Sequence, residues 1–253
     1  MIQQYLNTDT TSKLIKRLVS FENDLNELFD KHSLSLRENL GRRNMLMSQA
    51  QEKFLASALT EAGIECIHNG KPGEADIVLL KSGNEIEVKL TSGSGGSWSL
   101  QCDYETLVKK KELDFIYMLC DSDFKKFAIL HFEKLTPEDF FNPSSGSRSK
   151  ARMNKSNAMK KCTPVFGSVR NKNLRMIDTY SRDLKVHEEC SSLKLDELYK
   201  RLQMCRTDKQ IKKVETIIKN TKSRFNNKSK KIIGKIDYWK NASGTYEISL
   251  SEI

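Results

Sequence analysis

At 253 residues, with 38% hydrophobic and 30% charged content, the chain has the composition of a soluble globular protein with one sizeable core or a core plus a smaller appendage. No stretch approaches the roughly 18 apolar residues needed to span a bilayer, and the opening MIQQYLNTDTTSK lacks an apolar signal region, so no membrane partner and a cytoplasmic location are expected. The net charge of +10 is uneven: residues 1 to 141 hold 17 Lys+Arg and 22 Asp+Glu, whereas residues 142 to 253 hold 26 and 11.

The first predicted element lies between Ser12 and Leu40, where Leu14, Ile15, Leu18, Val19, Leu25, Leu28 and Phe29 recur at helical spacing. It reads as packing material, with Glu22, Asp24 and Glu27 on its solvated face. A second helix is predicted over Ser48 to Ala62. Ser48 and Gln51 have the spacing of a capping box, Phe54, Leu55, Ala58 and Leu59 form an apolar face, and Gly63 is placed to end it. Glu52 then falls in the first turn, where the helix dipole favours an acid.

A short strand from Ile64 to Ile67 leads into GEADIVLLKSGNEIEVKLT, residues 73 to 91. Ile77 to Leu80 is an apolar run. After Lys81-Ser82-Gly83-Asn84, Ile86, Val88 and Leu90 alternate strictly with Glu85, Glu87 and Lys89, which predicts a β-hairpin. With residues 81 to 84 as the loop, Leu80 pairs with Glu85, Val78 with Glu87 and Asp76 with Lys89. Asp76, Glu87 and Lys89 then share one face. A glycine-rich loop, residues 92 to 97, follows. Asp103 caps a helix running to about Leu113, and two apolar, aromatic-rich strands, Phe115 to Cys120 and Phe127 to Phe132, flank a turn at residues 121 to 123.

Residues 142 to 175 contain nine basic side chains and no acidic one: Arg148, Lys150, Arg152, Lys155, Lys160, Lys161, Arg170, Lys172 and Arg175. This reads as a loop region that contacts DNA and orders on binding, with Arg148, Arg152, Asn154 and Arg170 as candidates for reading base edges. From Leu193 to Phe225, Leu195, Leu198, Leu202, Ile211, Val214, Ile217 and Ile218 predict a pair of helices recapped at Thr207 or Asp208. Residues 231 to 253 read as a terminal hairpin, so the end of the chain suggests either a winged-helix reader or a dimer interface. Six scattered cysteines without a CxxC pair are expected to be free thiols.

Two carboxylates on one strand face repel each other and favour a hard divalent cation between them, and an adjacent ammonium can orient a water and stabilise charge on a phosphate. Asp76, ten residues, then Glu87-Val88-Lys89 resembles the D…ExK signature of the PD-(D/E)XK nuclease superfamily, the fold of many type II restriction endonucleases. Ala75 stands where that family's eponymous proline often sits. The element order from Ser48 to Phe132, helix, three strands, helix, two strands, is that of the family's common core.

The resemblance covers about a third of the chain, and it implies an α/β fold: a restriction-endonuclease-like αβββαββ core with a mixed central sheet flanked by helices. The expected segments are an N-terminal helical segment (1–47), the catalytic core (48–141) and a basic region for DNA binding, dimerisation or both (142–253). The resemblance further implies Mg2+-dependent hydrolysis of double-stranded DNA by a homodimer. Asp76, Glu87 and the Val88 carbonyl would hold the metal, Lys89 would position the water, and Glu52 would reach the site from its helix. A structure-specific repair or junction-resolving nuclease of the same superfamily, and a non-catalytic DNA-binding module, are the alternatives.

Overall fold

Apolar residues at three- and four-residue spacing open the fold with two helices, and the computed structural model describes residues 6–71, 73–93, 98–143, 150–242 and 244–252. Helix α1 is Thr8–Lys31, capped by the Asn7 side chain, and α2 is Leu40–Glu61, capped by Asn39. The second helix therefore starts eight residues before the expected Ser48. Arg43 and Met47 extend its buried face by two turns, and the Ser48 hydroxyl bonds the Met45 carbonyl within the helix. Gly63, at φ +87°, ends α2 as expected.

Asp24 and Glu27 are exposed on α1, but Glu22 is not. It is buried 3.8 Å from the fully buried Arg43, which donates to the Ser122 carbonyl at 2.6 Å and lies over the Phe124 ring. The helical spacing that assigned Glu22 to solvent could not register a cation arriving from another helix.

The strands are β1 (Cys66–His68), β2 (Ile77–Leu79), β3 (Glu85–Ser92), β4 (Gln101–Asp103), β5 (Leu113–Cys120), β6 (Lys126–Leu135), β7 (Lys150–Arg152), β8 (Cys162–Phe166), β9 (Ser168–Asn171), β10 (Tyr246–Ser249) and β11 (Ser251–Glu252). Helix α3, Tyr104–Lys110, takes its N-cap from Asp103 as predicted but ends earlier, at Lys111 with φ +69°. The central sheet has the order β1-β2-β3-β5-β6-β11, with β8 also on β6. Its β3–β5 pair is parallel and its other pairs antiparallel, which makes it mixed. A parallel neighbour requires a crossover connection, and the segment carrying α3 supplies it.

Both faces of the sheet are covered. On β5, Ile116, Met118 and Cys120 join the core with α1 and α2, whereas Phe115, Tyr117 and Leu119 join a second core with Leu107, Phe132 and Phe140. Every residue of β5 is accordingly buried. The structure is thus mixed α/β with a mixed central sheet and flanking helices. Among the described residues no helix is long and apolar enough to cross a membrane.

The basic segment after residue 142 is not a loop where it is described. Strand β7 pairs with β4, a single turn, α4 (Lys155–Ala158), follows, and β8 adds to β6. Ala151, Met153, Ala158 and Met159 are buried in the second core, and these few apolar residues anchor a stretch whose charge count alone suggested disorder.

Two compact units result: Met1–Arg170 with Tyr246–Ile253, and Asn171–Thr245. The boundaries expected after residues 47 and 141 both fall inside the first. The second contains helices α5, Lys172–Gln203, and α6, Asp208–Asn241, recapped at Thr207 with Gln210 completing a capping box. Their packed residues include Leu184, His187, Leu195, Leu198 and Leu202 on α5, and Ile211, Val214, Ile218, Phe225, Ile232 and Ile236 on α6. The expected terminal hairpin is replaced by the end of α6, because Ile232, Ile236 and Trp239 continue this three- and four-residue spacing. Among the described residues after α6, β10 and β11 are extended, and they pair with β9 and β6 respectively. No winged helix is formed among the described residues.

Candidate active site

Strand alternation brings Glu87 and Lys89 to one face of β3, while Ile86 and Val88 enter the core against α2. The hairpin register differs from the expected one by two residues: Ile77 pairs with Ile86 and Val78 with Glu85. Leu80 belongs to the turn. Gly83 adopts φ +71° and bonds back to the Leu79 carbonyl at 2.8 Å, while the Leu79 N–H reaches the Asn84 carbonyl at 2.9 Å. Only a glycine takes that backbone conformation without strain, so the turn is set by Gly83 rather than by the last apolar residue. A shift of two preserves the faces.

The β2–β3 ladder stops at Ile77 and Ile86. Beyond it the Val88 N–H donates to Asp76 Oδ2 at 2.7 Å, so a side-chain carboxylate replaces a strand partner. In an extended strand the N–H and C=O of one residue point to the same edge, so the Val88 carbonyl faces the Asp76 side. The Lys89 ammonium bonds Glu87 Oε1. The other Glu87 oxygen, Oε2, is buried and has no hydrogen-bond partner among the described residues.

Helix α2 supplies the adjoining wall. Glu52 lies well inside the helix, so the dipole at its N-terminus no longer accounts for it. Its Oε2 is 3.2 Å from His68 Nε2 on β1. Gln51 is fully buried and donates to the Lys89 carbonyl at 3.2 Å, tying α2 to the strand that carries Glu87 and Lys89. Sequence reasoning missed both partners. His68 gave no signal, but Gln51 is a polar residue on a face otherwise occupied by Met47, Leu55 and Leu59, which is a cue to a buried hydrogen bond.

Electrostatics bind the cluster together. Burial raises the Asp76 pKa; the Lys89 ammonium and the Val88 N–H oppose this, and the Glu52 charge adds to it. Burial likewise raises the Glu87 pKa against the pull of Lys89, with the Asp76 charge reinforcing the rise. Burial acts to lower the Lys89 pKa, but Glu87, Asp76 and Glu52 outweigh it and the net shift is upward. The nearby Cys102 thiol is pushed by burial up to about 12 and stays protonated at neutral pH.

No group of three or more His, Cys, Asp or Glu side chains capable of holding a metal is gathered among the described residues. The hairpin instead offers two carboxylates and a backbone carbonyl, an all-oxygen set suited to Mg2+. The buried, unpartnered Glu87 Oε2 fits such a cation, because a positive charge there would satisfy an otherwise stranded acceptor.

The candidate DNA contacts fall on several elements. Arg148 lies outside the described residues. Lys150 and Arg152 are exposed on β7, Asn154 precedes α4 at its N-cap position without a side-chain bond to it, and Lys155 is within that turn, its pKa lowered by burial and by Arg152. Lys160 and Arg170 are exposed, whereas Lys161 is held by Asp139 at 2.6 Å and by the Lys134 carbonyl at 2.9 Å. Lys172 and Arg175 fall in the first turn of α5. Glu74, between the hairpin and the preceding loop, pairs with Lys110 at 2.7 Å.

Compared with known proteins, the chain matches no family model and no curated sequence.

Proposed function

We propose that the chain is a Mg2+-dependent endonuclease of the PD-(D/E)XK type that hydrolyses phosphodiester bonds of double-stranded DNA, of the type II restriction class. One observation carries the reading: Asp76, Glu87 and Lys89 meet where the β2–β3 ladder ends, with the Val88 N–H locked to Asp76. The parallel β3–β5 pair, with β4 and α3 in the connection between its strands, is further support.

In this reading Asp76, Glu87 and the Val88 carbonyl would hold the metal, which would supply positive charge at the scissile phosphate and make a nearby water more acidic. Lys89, kept protonated by the carboxylates it faces, is a three-donor cation that orients the attacking water and stabilises charge developing on the phosphate. Glu52, braced by His68, adds an acidic wall that holds a water next to Asp76. The products carry 5′-phosphates, as in the superfamily, and a homodimer matches a palindromic target.

The test is incubation of the purified protein with long, unmodified duplex DNA in Mg2+ and in EDTA, followed by gel resolution. Discrete fragments, formed only in Mg2+ and absent with Lys89→Ala, are expected. Cutting of branched DNA alone would move the assignment to a junction-resolving enzyme. Absence of cleavage on unmodified and methylated DNA would overturn the enzymatic reading.

A further inference from the structure

Residues 171 to 245, the second unit, hold 19 Lys+Arg and 9 Asp+Glu, a balance of +10 that equals the net charge of the whole chain. Within the unit the two helices are unlike. Helix α5 has seven basic and six acidic residues, whereas α6 has eleven and three. Between Thr216 and Ile236 there are seven cations and no acid.

All eleven α6 cations are exposed, and among the described residues none is ion-paired with a carboxylate. Two are steadied by rings of α5: Lys222 lies 5.4 Å from the Tyr199 ring centroid and Lys235 lies 5.0 Å from that of Tyr180. Several stand next to like charges one turn away, among them Lys209 and Lys213, Arg224 and Lys228, and Lys231 and Lys235, an arrangement that opposes helix formation in isolation. At 3.6 residues per turn the cations spread over about two-thirds of the helix circumference, all of it outside the strip packed on α5, over a length of about 50 Å.

From this face we infer that α6 is a binding surface for the phosphate backbone of duplex DNA, engaged without regard to sequence. The inference depends on the nuclease reading only in taking DNA as the polyanion.

Three observations select this partner. Ten of the eleven cations are lysines, point charges suited to phosphates rather than to the two-pronged contacts that read guanine. The aromatic side chains Phe225 and Trp239 are partly buried, which leaves Tyr238 as the exposed aromatic of α6 and no platform on which single-stranded bases could stack. The apolar face of α6 is taken up by α5, with Ile217 and Ile233 as isolated exposed exceptions, so no apolar stripe is free to enter a lipid surface.

The test is fluorescence anisotropy of a short labelled duplex in EDTA, with salt varied from about 50 to 200 mM. A first variant combines Lys212→Gln, Lys213→Gln, Lys219→Gln, Lys230→Gln and Lys231→Gln. A second removes the same charge from exposed positions of the other unit, with Lys16→Gln, Lys31→Gln, Lys53→Gln, Lys81→Gln and Lys125→Gln. Glutamine keeps helix propensity, and circular dichroism checks that the helices persist.

The α6 variant is expected to lose about tenfold or more in affinity, with the slope of log K against log salt falling by about 0.9 for each phosphate that is no longer neutralised. The second variant is expected to lose less than about threefold, through net charge alone. Equal losses in both variants, wild-type affinity in the α6 variant, or wild-type protein that binds phosphatidylserine vesicles but not duplex would each overturn the inference. Cleavage assays on the same proteins separate the two readings. Mg2+-dependent cleavage with unaltered binding in the α6 variant removes the α6 surface alone, whereas α6-dependent binding with no cleavage by the wild type removes the nuclease alone.

Discussion

The Asp76 carboxylate accepts the Val88 N–H at 2.7 Å, in the place where a backbone partner on β2 would otherwise sit. Asparagine at position 76 keeps an acceptor there and alanine does not. Both remove the charge, so the pair isolates the hydrogen bond. Asp76→Ala is expected to be less stable than Asp76→Asn by about 1–3 kcal/mol in urea unfolding. Equal stabilities would show that the Val88 N–H finds another acceptor.

Lys89→Ala removes the cation that holds down the pKa values of both carboxylates. Cleavage is expected to fall by about 10²–10⁴-fold. Duplex binding in EDTA should stay within about twofold of wild type, because Lys89 is one ammonium already matched to Glu87. A parallel loss of binding and cleavage would assign Lys89 to DNA docking instead.

Asp76 and Glu87 have folded pKa values above their ordinary ones, so both carboxyls bind protons more tightly in the folded than in the unfolded chain. Their contribution favours the fold below the unfolded carboxylate range, at about pH 4, and is lost as pH rises through the raised folded values. The combined Asp76→Asn and Glu87→Gln variant lacks this dependence. In EDTA its melting temperature is expected to gain on that of wild type as pH rises above about 4, and the difference should level off once both wild-type groups are ionised. A difference that shrinks over this range would contradict the raised values.

Arg43 and Glu22 form a buried pair away from the candidate site. Removing the cation alone strands the carboxylate: Arg43→Met is expected to cost about 3–5 kcal/mol, and adding Glu22→Gln should recover a large part of it. Additive losses in the double variant would mean that Arg43 acts through its bonds to the Ser122 and Asp121 carbonyls rather than through Glu22.

The elements around the site were readable because their signals are local. Strict alternation in Ile86 to Leu90 marks a half-buried strand, Asp103 precedes a helix it caps, and the apolar runs of β5 and β6 are bounded by a turn. What escaped depends on distant partners or on turn geometry. The register moved by two because Gly83, not Leu80, defines the turn. Gln51 has the spacing of a cap partner for Ser48, but the helix begins at Leu40 and places it in the interior. Ile232 and Ile236 sit in a short segment compatible with strand or helix, and their packing against α5 decided for helix. The charge asymmetry was visible from composition, but its concentration on one helix face required knowing where α6 begins and ends.

The chain leaves β9 at Asn171 and returns at Tyr246 into β10, its sheet partner, and the Lys172 N–H already bonds the Thr245 carbonyl at 2.8 Å. The intervening 74 residues are therefore spliced in at a closed gate, so that their removal leaves two neighbouring ends a tight turn can rejoin. Seen this way, the helical pair is an exchangeable cassette: its length can change by whole seven-residue steps in both helices, with the packed seam kept in phase, without asking the sheet to move.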